Sequence, residues 1–454
     1  MMKISSINIF CFLLLFLILQ SCKKEWLAAK PDKSLVVPET IKDYQSLLDN
    51  VGVFNTAQAC GLGEVGAGDF YIADANWSAV NVNQEKGAYT WAKTEEFYNG
   101  ELSQDWESAY RRVLNANVIL NGIEKIKPQI SEQQNWNNVK GSALFFRAFD
   151  FFNLAQGYCV NYNSASANQD LGLLLKLEYN INAKHKRSTL QQTYDQIIKD
   201  LETAANLLNT KSAVKTRPSK EAAYALLART YLVMGNYEKA GQYANLTLLV
   251  QDDLLDYSKL NSAAAFPITR FNTEVIFHSL FYFGIFNPNR MTVTPGLYSE
   301  YVAGDCRKTI FFGPTGLNFK GSYNGDRSLF GGLTTGEMYL IRAEARARLG
   351  ELMGALNDLN TLRRNRWIGI YADLNSADAA TVLDYVIKER RRELPFRGIR
   401  WSDLRRLNTD SRFAVTLTRT NNGNTYTLPP NDKRYVLPID EQEIRLSGIQ
   451  QNER

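Results

Sequence analysis

Cysteine and histidine are scarce in this sequence, with 5 and 2 residues among 454. So few cysteines exclude a disulfide-rich scaffold, and two isolated histidines argue against a histidine-bound metal centre. Proline and glycine are also few, at 12 and 29 residues, which excludes collagen-like and low-complexity chains. The hydrophobic fraction of 45% is that of a folded chain with a large core.

An excess of one charge is also missing, because 52 Lys and Arg residues face 47 Asp and Glu residues, giving a net charge of +5. Over a chain of this length that excess is too small to predict nucleic-acid binding. Beyond the N-terminus, charged residues interrupt every apolar stretch. The sequence therefore predicts no membrane-spanning helix in the body of the chain.

The one long apolar run, Ile9 to Leu19, stands at the N-terminus, where Lys3 is the only charge among the first residues. As a helix this run would span about 17 Å, roughly half of the hydrocarbon core of a bilayer. It is therefore too short for a transmembrane helix and is typical of a signal peptide.

The run ends in Leu19-Gln20-Ser21-Cys22, which resembles the lipobox of bacterial lipoproteins. A small residue before the cysteine admits the peptidase, and the thiol accepts the lipid. We therefore predict a signal peptide over 1–21 and a mature domain over 22–454, held to the membrane by acyl chains on Cys22. The alternative is an ordinary secretory signal with a chance cysteine. One disulfide at most could form among the remaining cysteines, Cys60, Cys159 and Cys306.

A helical repeat is the clearest pattern further along the chain. Four residues recur at i, i+3, i+4 and i+7, the spacing of one helix face: Tyr224, Leu227, Ala228 and Tyr231. A turn at Gly235 follows, and then a second helix with the small residues Ala240 and Ala244 on one face. This resembles a tetratricopeptide repeat. A second copy spans 336–366, with Arg342 and Arg346 where the repeat usually has apolar residues.

The predicted fold is mainly α, with tetratricopeptide-type helix pairs forming a right-handed superhelical scaffold, long irregular loops and a few short strands. We predict helix pairs at about 105–158, 193–250 and 336–366. Three stretches rich in Gly, Asn, Thr and aromatic residues lie outside them, at about 53–100, 260–336 and 412–434. We name these the first, second and third loop regions. Loops of this length usually carry function.

An arginine-rich stretch, Val386 to Leu407, lies near the C-terminus. Glu389 and Glu393 stand within i+3 reach of Arg392 and Arg390, so we predict a solvated, ion-paired helix face rather than a nucleic-acid patch.

This stretch also resembles the signature of the SusD/RagB family of nutrient-uptake outer-membrane lipoproteins. Further segments resemble the same family in the same order along nearly the whole mature chain. They are the lipobox, FFRAFDFFNLAQGY (145–158), RPSKEAAYALLARTYL (217–232), Asn272–Phe277, Asp305-Cys306-Arg307, EMYLIRAEARARLG (337–350) and YVLPIDEQEIRLSGIQQN (435–452).

The resemblance implies a lipoprotein on the cell exterior that captures an oligosaccharide, or in some members a peptide, and delivers it to a SusC-like TonB-dependent barrel. It implies no catalysis, no cofactor and no metal. The family's surface-export signal is an acidic cluster after the lipidated cysteine, whereas Lys23-Lys24-Glu25 supplies one acid. The Asp305–Arg307 match is expected to be a structural ion pair.

A sugar site pairs flat aromatic rings with amide or charged side chains. The first and second loop regions supply these residue types, and our candidates are Tyr71, Asn76, Trp77, Trp91, Tyr282, Asn287 and Arg290. Trp77 is the first choice, because Asn76-Trp77-Ser78 lies in a polar stretch without apolar periodicity. Alternatively, most aromatic residues here belong to the core, as Phe281 and Phe283 would if they alternate inward on a strand.

Other motifs lack the context that their chemistry needs. Gly61 to Gly66 spells G-x-G-x-x-G without the preceding strand of a dinucleotide site, and a flexible loop is the better interpretation. His185 and His278 lack metal-ligand spacing. A tetratricopeptide-type envelope-assembly scaffold and an exported glycan hydrolase remain alternative functions. The identity of the ligand stays open.

We expect Cys22 to carry fatty acyl chains, because it follows a small residue at the end of a signal peptide. Labelling cells with a palmitate analogue should mark the wild-type chain and leave Cys22→Ser unmarked. A wild-type chain whose Cys22 keeps a free thiol would contradict the lipobox.

Overall fold

The computed structural model describes residues 38–180 and 182–454. The predicted signal peptide, Cys22 and Lys23–Glu25 lie outside these residues, so lipidation stays a prediction. Residues 41–454 pack into one unit. No helix within the described residues has the length and apolarity needed to cross a bilayer.

Helices dominate the described residues. In chain order they are α1 (Ile41–Leu48), α2 (Val51–Phe54), α3 (Gly61–Gly66), α4 (Asp74–Trp77), α5 (Asn83–Thr90), α6 (Thr94–Phe97), α7 (Gln104–Ile123), α8 (Gln133–Tyr158) and α9 (Leu190–Leu207). The rest of the chain adds α10 (Lys220–Val233), α11 (Tyr237–Leu248), α12 (Pro295–Tyr298), α13 (Arg307–Ile310), α14 (Thr335–Arg348), α15 (Leu352–Arg364), α16 (Ala379–Glu393), α17 (Arg400–Leu407) and α18 (Glu441–Ser447).

The strands are short and pair only in twos within the described residues. They are β1 (Phe70–Ile72), β2 (Leu171–Leu174), β3 (Arg187–Thr189), β4 (Val275–Phe277), β5 (Leu280–Phe281), β6 (Met291–Val293), β7 (Leu329–Phe330), β8 (Leu333–Thr334), β9 (Leu417–Asn421) and β10 (Asn424–Leu428). The antiparallel pairs are β1–β6, β2–β3, β4–β8, β5–β7 and β9–β10. The predicted mainly helical class is confirmed.

The long helices stack in sequence, α7 on α8, then α9, α10 and α11. Helix α11 packs directly on α14, and α14 packs on both α15 and α16. The backbones approach closely there, because a Cβ atom on Gly241 of α11 would lie 3.0 Å from that of Ala345 in α14. The second loop region is therefore an insertion between two helix pairs that touch.

Both repeats turn at a glycine with positive φ, +73° at Gly235 and +84° at Gly350, a conformation that other residues adopt only with strain. In the second repeat, the Arg342 and Arg346 side chains both pair with Asp358 of α15 at 2.7 Å. Arg342 also donates to Asn245 Oδ1 of α11 at 2.8 Å. Ion pairs thus replace apolar contacts where the sequence departs from the usual repeat.

Most of the arginine-rich stretch is buried, which corrects the prediction of a solvated helix face. Glu389 and Glu393 are 0% and 1% exposed, and Arg390 is 3% exposed. The ion pairing itself is present, since Arg392 binds Glu389 at 2.7 Å. Arg390 instead binds Asp403 of α17 at 2.8 Å. The spacing along the sequence correctly predicted that these residues form ion pairs, but it could not reveal which elements pack over them.

Three arginines from outside the stretch complete this network, one of which, Arg363 of α15, binds Glu389 at 2.5 Å. Arg307 pairs with Asp305, Glu389 and Glu393 at 2.7 to 2.8 Å. Arg366, which follows α15, pairs with Glu393 at 2.8 Å and with Glu274, just before β4, at 2.7 Å. The structural ion pair predicted for Asp305 and Arg307 is confirmed. We call Glu274, Asp305, Arg307, Arg363, Arg366, Glu389, Arg392 and Glu393 the ion network.

The glycine motif at Gly61–Gly66 forms helix α3 rather than the expected flexible loop, and all six residues are buried. A Cβ atom on Gly63 or Gly66 would lie 2.8 Å from the Trp401 ring, and one on Gly61 would collide with the Phe283 ring at 2.1 Å. These glycines are needed because two large aromatic rings rest against the helix.

The first and third loop regions are more regular than the sequence suggested. The first contains α3 to α6 and β1, and the third contains the β9–β10 hairpin. Cys60, Cys159 and Cys306 are buried and free, so none of the disulfides left open by the sequence forms.

Replacing Arg366 with Met should lower the free energy of unfolding by about 3–5 kcal/mol, because it strips a buried partner from Glu274 and Glu393. Urea denaturation measures the loss. The control is Arg364→Met, two residues away, whose pair with Asp373 has side chains 53% and 46% exposed and should change stability by less than about 1 kcal/mol. Equal effects of the two variants would show that the ion network is not critical.

Candidate functional site

The three loop regions meet on one side of the unit. Strand β1 of the first region pairs with β6 of the second, with Tyr71 opposite Thr292. Asn76 Nδ2 donates to the Asn289 carbonyl at 3.4 Å. Hairpin β9–β10 of the third region reaches the same place, since Asn422 N donates to Asp74 Oδ1 at 2.8 Å. We call this junction the loop face.

A buried carboxylate fixes the second region against the first. Glu85 of α5 is 3% exposed, and its Oε1 accepts a 2.5 Å hydrogen bond from Gly284 N. Burial raises the pKa of the Glu85 carboxyl, and Arg290 nearby opposes that change. The turn that follows is closed by Asn287, whose carbonyl accepts from Arg290 N at 2.8 Å and whose Oδ1 accepts from Asn289 N at 2.9 Å.

A buried cation fixes the third region against the first. Arg419 of β9 donates to the carbonyls of Tyr89 at 2.5 Å and Val65 at 2.8 Å. Its guanidinium lies 4.1 Å from the Tyr89 ring centroid, 4.9 Å from that of Trp91 and 5.4 Å from that of Phe70. Burial lowers the pKa of Arg419 to about 10. Aromatic faces and carbonyl oxygens thus take the place of a carboxylate partner.

Several of the predicted site residues lie at or near this face. Tyr71 and Tyr282 are 37% and 39% exposed. Trp77 is half-buried, with its ring 5.3 Å from the Tyr89 ring and 5.9 Å from Lys86 Nζ. The remaining candidates there, Asn76, Asn287 and Arg290, are also half-buried.

Trp91 does not belong to this surface, which corrects its selection as a candidate. It is 2% exposed, and its indole N–H donates to the Gly66 carbonyl at 3.0 Å. The remaining ring surface faces Arg419. Trp91 is therefore a core residue that supports the hairpin from below.

The alternation of side chains that continues from β5 into the next two residues explains why the Tyr282 ring is exposed. Phe281 and Phe283 are 1% and 2% exposed, whereas Tyr282 between them points outward. The expectation that these two phenylalanines point inward is confirmed. The Tyr282 carbonyl is held by Gln104 Nε2 at 3.3 Å, so the exposed phenol stands on a fixed backbone.

The loop face offers two exposed phenol rings, a half-buried indole and several amide groups. Such a surface can stack the C–H faces of sugar rings and bind their hydroxyl groups. Among the described residues no cluster of acidic, cysteine or histidine side chains could hold a metal ion. Two cavities, of about 560 and 490 Å³, lie away from this face, one beside α1 and one between α7 and α18.

Two family models match the chain. One, described as starch-binding and associating with the outer membrane, covers residues 25–232. The second, described as the SusD family, covers residues 334–454. The chain belongs to the SusD/RagB family.

Individual relatives agree with this assignment. SusD-like protein P2 of Formosa agariphila is 25% identical over 155 residues, which cover 33% of this chain and 28% of that protein. A SusD superfamily protein from Bacteroides vulgatus superposes with a TM-score of 0.72 at 23% identity, over 91% of this chain and 99% of that one. Surface glycan-binding protein A from Bacteroides uniformis gives a TM-score of 0.71 at 17% identity, over 91% and 99%. The solved structures establish that the fold is shared.

Sequence reasoning missed the residues that hold this SusD-family face together. Glu85, Asp74 and Arg419 stand in stretches without any motif, and their partners are distant in sequence. Only the Asn422-Gly423 pair carries a local signal, because this dipeptide is typical of a hairpin turn.

His278 is a buried residue that should make the stability of this SusD-family chain depend on pH. It is 0% exposed, its Nε2 lies 2.7 Å from Asn324 Oδ1, and burial lowers its pKa from 6.5 to about 4. As pH falls, His278 therefore becomes protonated near pH 6.5 in the unfolded chain but only near pH 4 in the folded chain. Stability should fall by up to about 3 kcal/mol across this window as pH drops. His278→Gln should remove that part of the slope in urea titrations, and an identical slope in both proteins would contradict the assignment.

Proposed function

We propose that this protein is an outer-membrane lipoprotein that binds an oligosaccharide at the cell surface and delivers it to a SusC-like TonB-dependent barrel. The observation that carries the proposal is the loop face, where Tyr71 is exposed on β1 beside amides from separate parts of the chain. The exposed Tyr282 lies two residues before Gly284, which Glu85 of the first loop region binds. Lipidation at Cys22 would hold the protein at the membrane that contains the barrel, and binding would involve no catalysis.

The chemistry of the face favours a neutral glycan. Its amides can donate to and accept from hydroxyl groups at once. Two of the charges there are already engaged, because Glu85 binds Gly284 N and Asp74 binds Asn422 N. Phenol rings add stacking contacts that need no charge on the ligand.

The names of similar proteins support a glycan as ligand. One matching family model is described as starch-binding, and one structural neighbour is a surface glycan-binding protein. A shallow site of this kind binds weakly by itself. Holding it above a barrel raises the local ligand concentration at the channel, which offsets weak affinity.

The proposal predicts that Tyr282→Ala and Trp77→Ala each weaken oligosaccharide binding by about 1–3 kcal/mol without unfolding the chain. Calorimetry on the full chain in detergent, with maltoheptaose and a panel of other soluble oligosaccharides, measures the change. The matched control is Tyr179→Ala, since Tyr179 is 50% exposed and follows Glu178, whose carbonyl is bound by Asn117 of α7 rather than by the loop face. Unchanged affinity in both site variants would remove the loop face as the binding surface.

Delivery is tested separately from binding. Affinity purification of the chain from membranes should recover a TonB-dependent barrel. Recovery of envelope-assembly proteins without such a barrel would contradict the delivery role and favour a scaffold. If the wild-type chain binds none of the oligosaccharides, the glycan-binding proposal itself fails.

A further inference from the structure

Hairpin β9–β10 has two distinct faces. Along β9, Leu417, Arg419 and Asn421 point toward the unit, and burial deepens toward Asn421 at 2% exposed. The other face is exposed and carries only threonines, paired across the strands as Thr418 with Thr427 and Thr420 with Thr425. Because side chains alternate along a strand, each position is assigned to one face by the register.

The inward face is fixed to the loop face by three successive contacts. Leu417 lies against Gly68, where an added Cβ atom would be 3.1 Å from its side chain. Arg419 enters the group of aromatic rings described above. Asn421 Nδ2 donates to the Ile72 carbonyl at 3.3 Å, at the end of β1. The hairpin is therefore a rigid wall beside β1.

The tip of the hairpin reaches the helix that carries Trp77. Asn422 and Gly423 form the turn with φ of +47° and +74°. The Asn422 N–H binds the Asp74 carboxylate, and Asp74 is the first residue of α4, which also contains Asn76 and Trp77. The tip thus adjoins two of the candidate binding residues.

Asn424 occupies an unusual position at this tip. In the register it stands opposite Asn421, so it shares the inward face with Arg419. Asn421 is buried, whereas Asn424 is exposed. Within the part of the chain that the structure describes, its Nδ2 makes only a long contact of 3.4 Å, to the Asn422 carbonyl. The amide is therefore exposed at the end of the inward face, two residues from Asn422, which binds Asp74 of α4.

Local structure accounts for Asn422 but not for Asn424. Asparagine is favoured at a turn position with positive φ, which describes Asn422. Asn424 is a strand residue, where asparagine is disfavoured, and the outward strand positions of this hairpin all carry threonine instead. Asn421 on the same face is explained by its bond to the Ile72 carbonyl, whereas among the described residues the Asn424 side chain makes no such bond outside the hairpin.

The first and second loop regions form two walls of the proposed saccharide site. We propose that hairpin β9–β10 forms a third wall, from which the Asn424 amide hydrogen-bonds to hydroxyl groups of the bound oligosaccharide. This rests on the proposed function and extends it to a region from which the sequence suggested no binding residue. The ligand class is a neutral oligosaccharide long enough to reach from Tyr71 and Trp77 to the hairpin tip. An amide suits hydroxyl groups because it donates and accepts together.

The test compares substitutions of two adjacent exposed residues on opposite faces of the hairpin, Asn424→Ala and Thr425→Ala, in the full chain. Calorimetry with the oligosaccharide that binds the wild-type chain most tightly should show a loss of about fivefold or more for Asn424→Ala, the effect of one hydrogen bond. Thr425→Ala should retain the wild-type affinity. Urea denaturation should give the same stability for both variants.

The possible results separate the two proposals. Loss in Asn424→Ala alone supports the third wall. Wild-type affinity in Asn424→Ala, with loss in Tyr282→Ala, overturns the third wall and leaves the glycan-binding role intact. Equal loss in both hairpin variants also overturns it, because it indicates a general disturbance of the hairpin. A wild-type chain that binds no oligosaccharide overturns both.

Discussion

Ion pairs withdrawn from water hold the second loop region in place. Glu274 stands near the start of this region and Arg307 near its middle, and both are tied to Glu393 of α16, the first through Arg366 and the second directly. The chain between these two anchors includes β5, Tyr282 and the Asn287–Arg290 turn. The position of half of the loop face thus depends on charges in the helical part of the molecule.

Forming the ion network costs desolvation free energy, and removing one partner would leave another charge buried and unpaired. Desolvating several charges offsets most of their attraction, so the ion network need not add much net stability. Its geometry, however, is closely defined, because Glu389 forms ion pairs with Arg307, Arg363 and Arg392 at 2.5 to 2.7 Å. The three guanidinium groups hold the pKa of Glu389 well below its usual range despite burial. We infer that the network selects one arrangement of loops over others, which a hydrophobic contact would do less well.

The helical part of the fold was predictable because its signals are local. Tyr224 to Tyr231 show a helix face within eight residues, and Gly235 marks the turn. The arginine-rich stretch was misjudged because buried and solvated ion pairs have the same spacing along a helix. Trp91 was misjudged for a related reason: nothing near it in sequence reveals that Arg419, more than three hundred residues later, covers its ring. Tyr71 and Tyr282 were found from residue type, but only the pairing of β1 with β6 places their regions side by side.

Rigid support of exposed side chains is what makes the loop face suited to binding. Tyr282 lies between two buried phenylalanines, and the neighbours of Tyr71 in β1 are each 1% exposed. Neither ring can retreat into the core, because the positions beneath are filled. The conformational entropy of these aromatic side chains is therefore already lost when the protein folds. Ligand binding does not have to order them, which raises affinity without additional contacts. The same reasoning applies to the hairpin, where Arg419 fixes a strand that would be mobile by itself. Rigidity at the tip makes an exposed amide there effective in recognition, since an amide on a mobile loop would lose much of its hydrogen-bond energy to ordering.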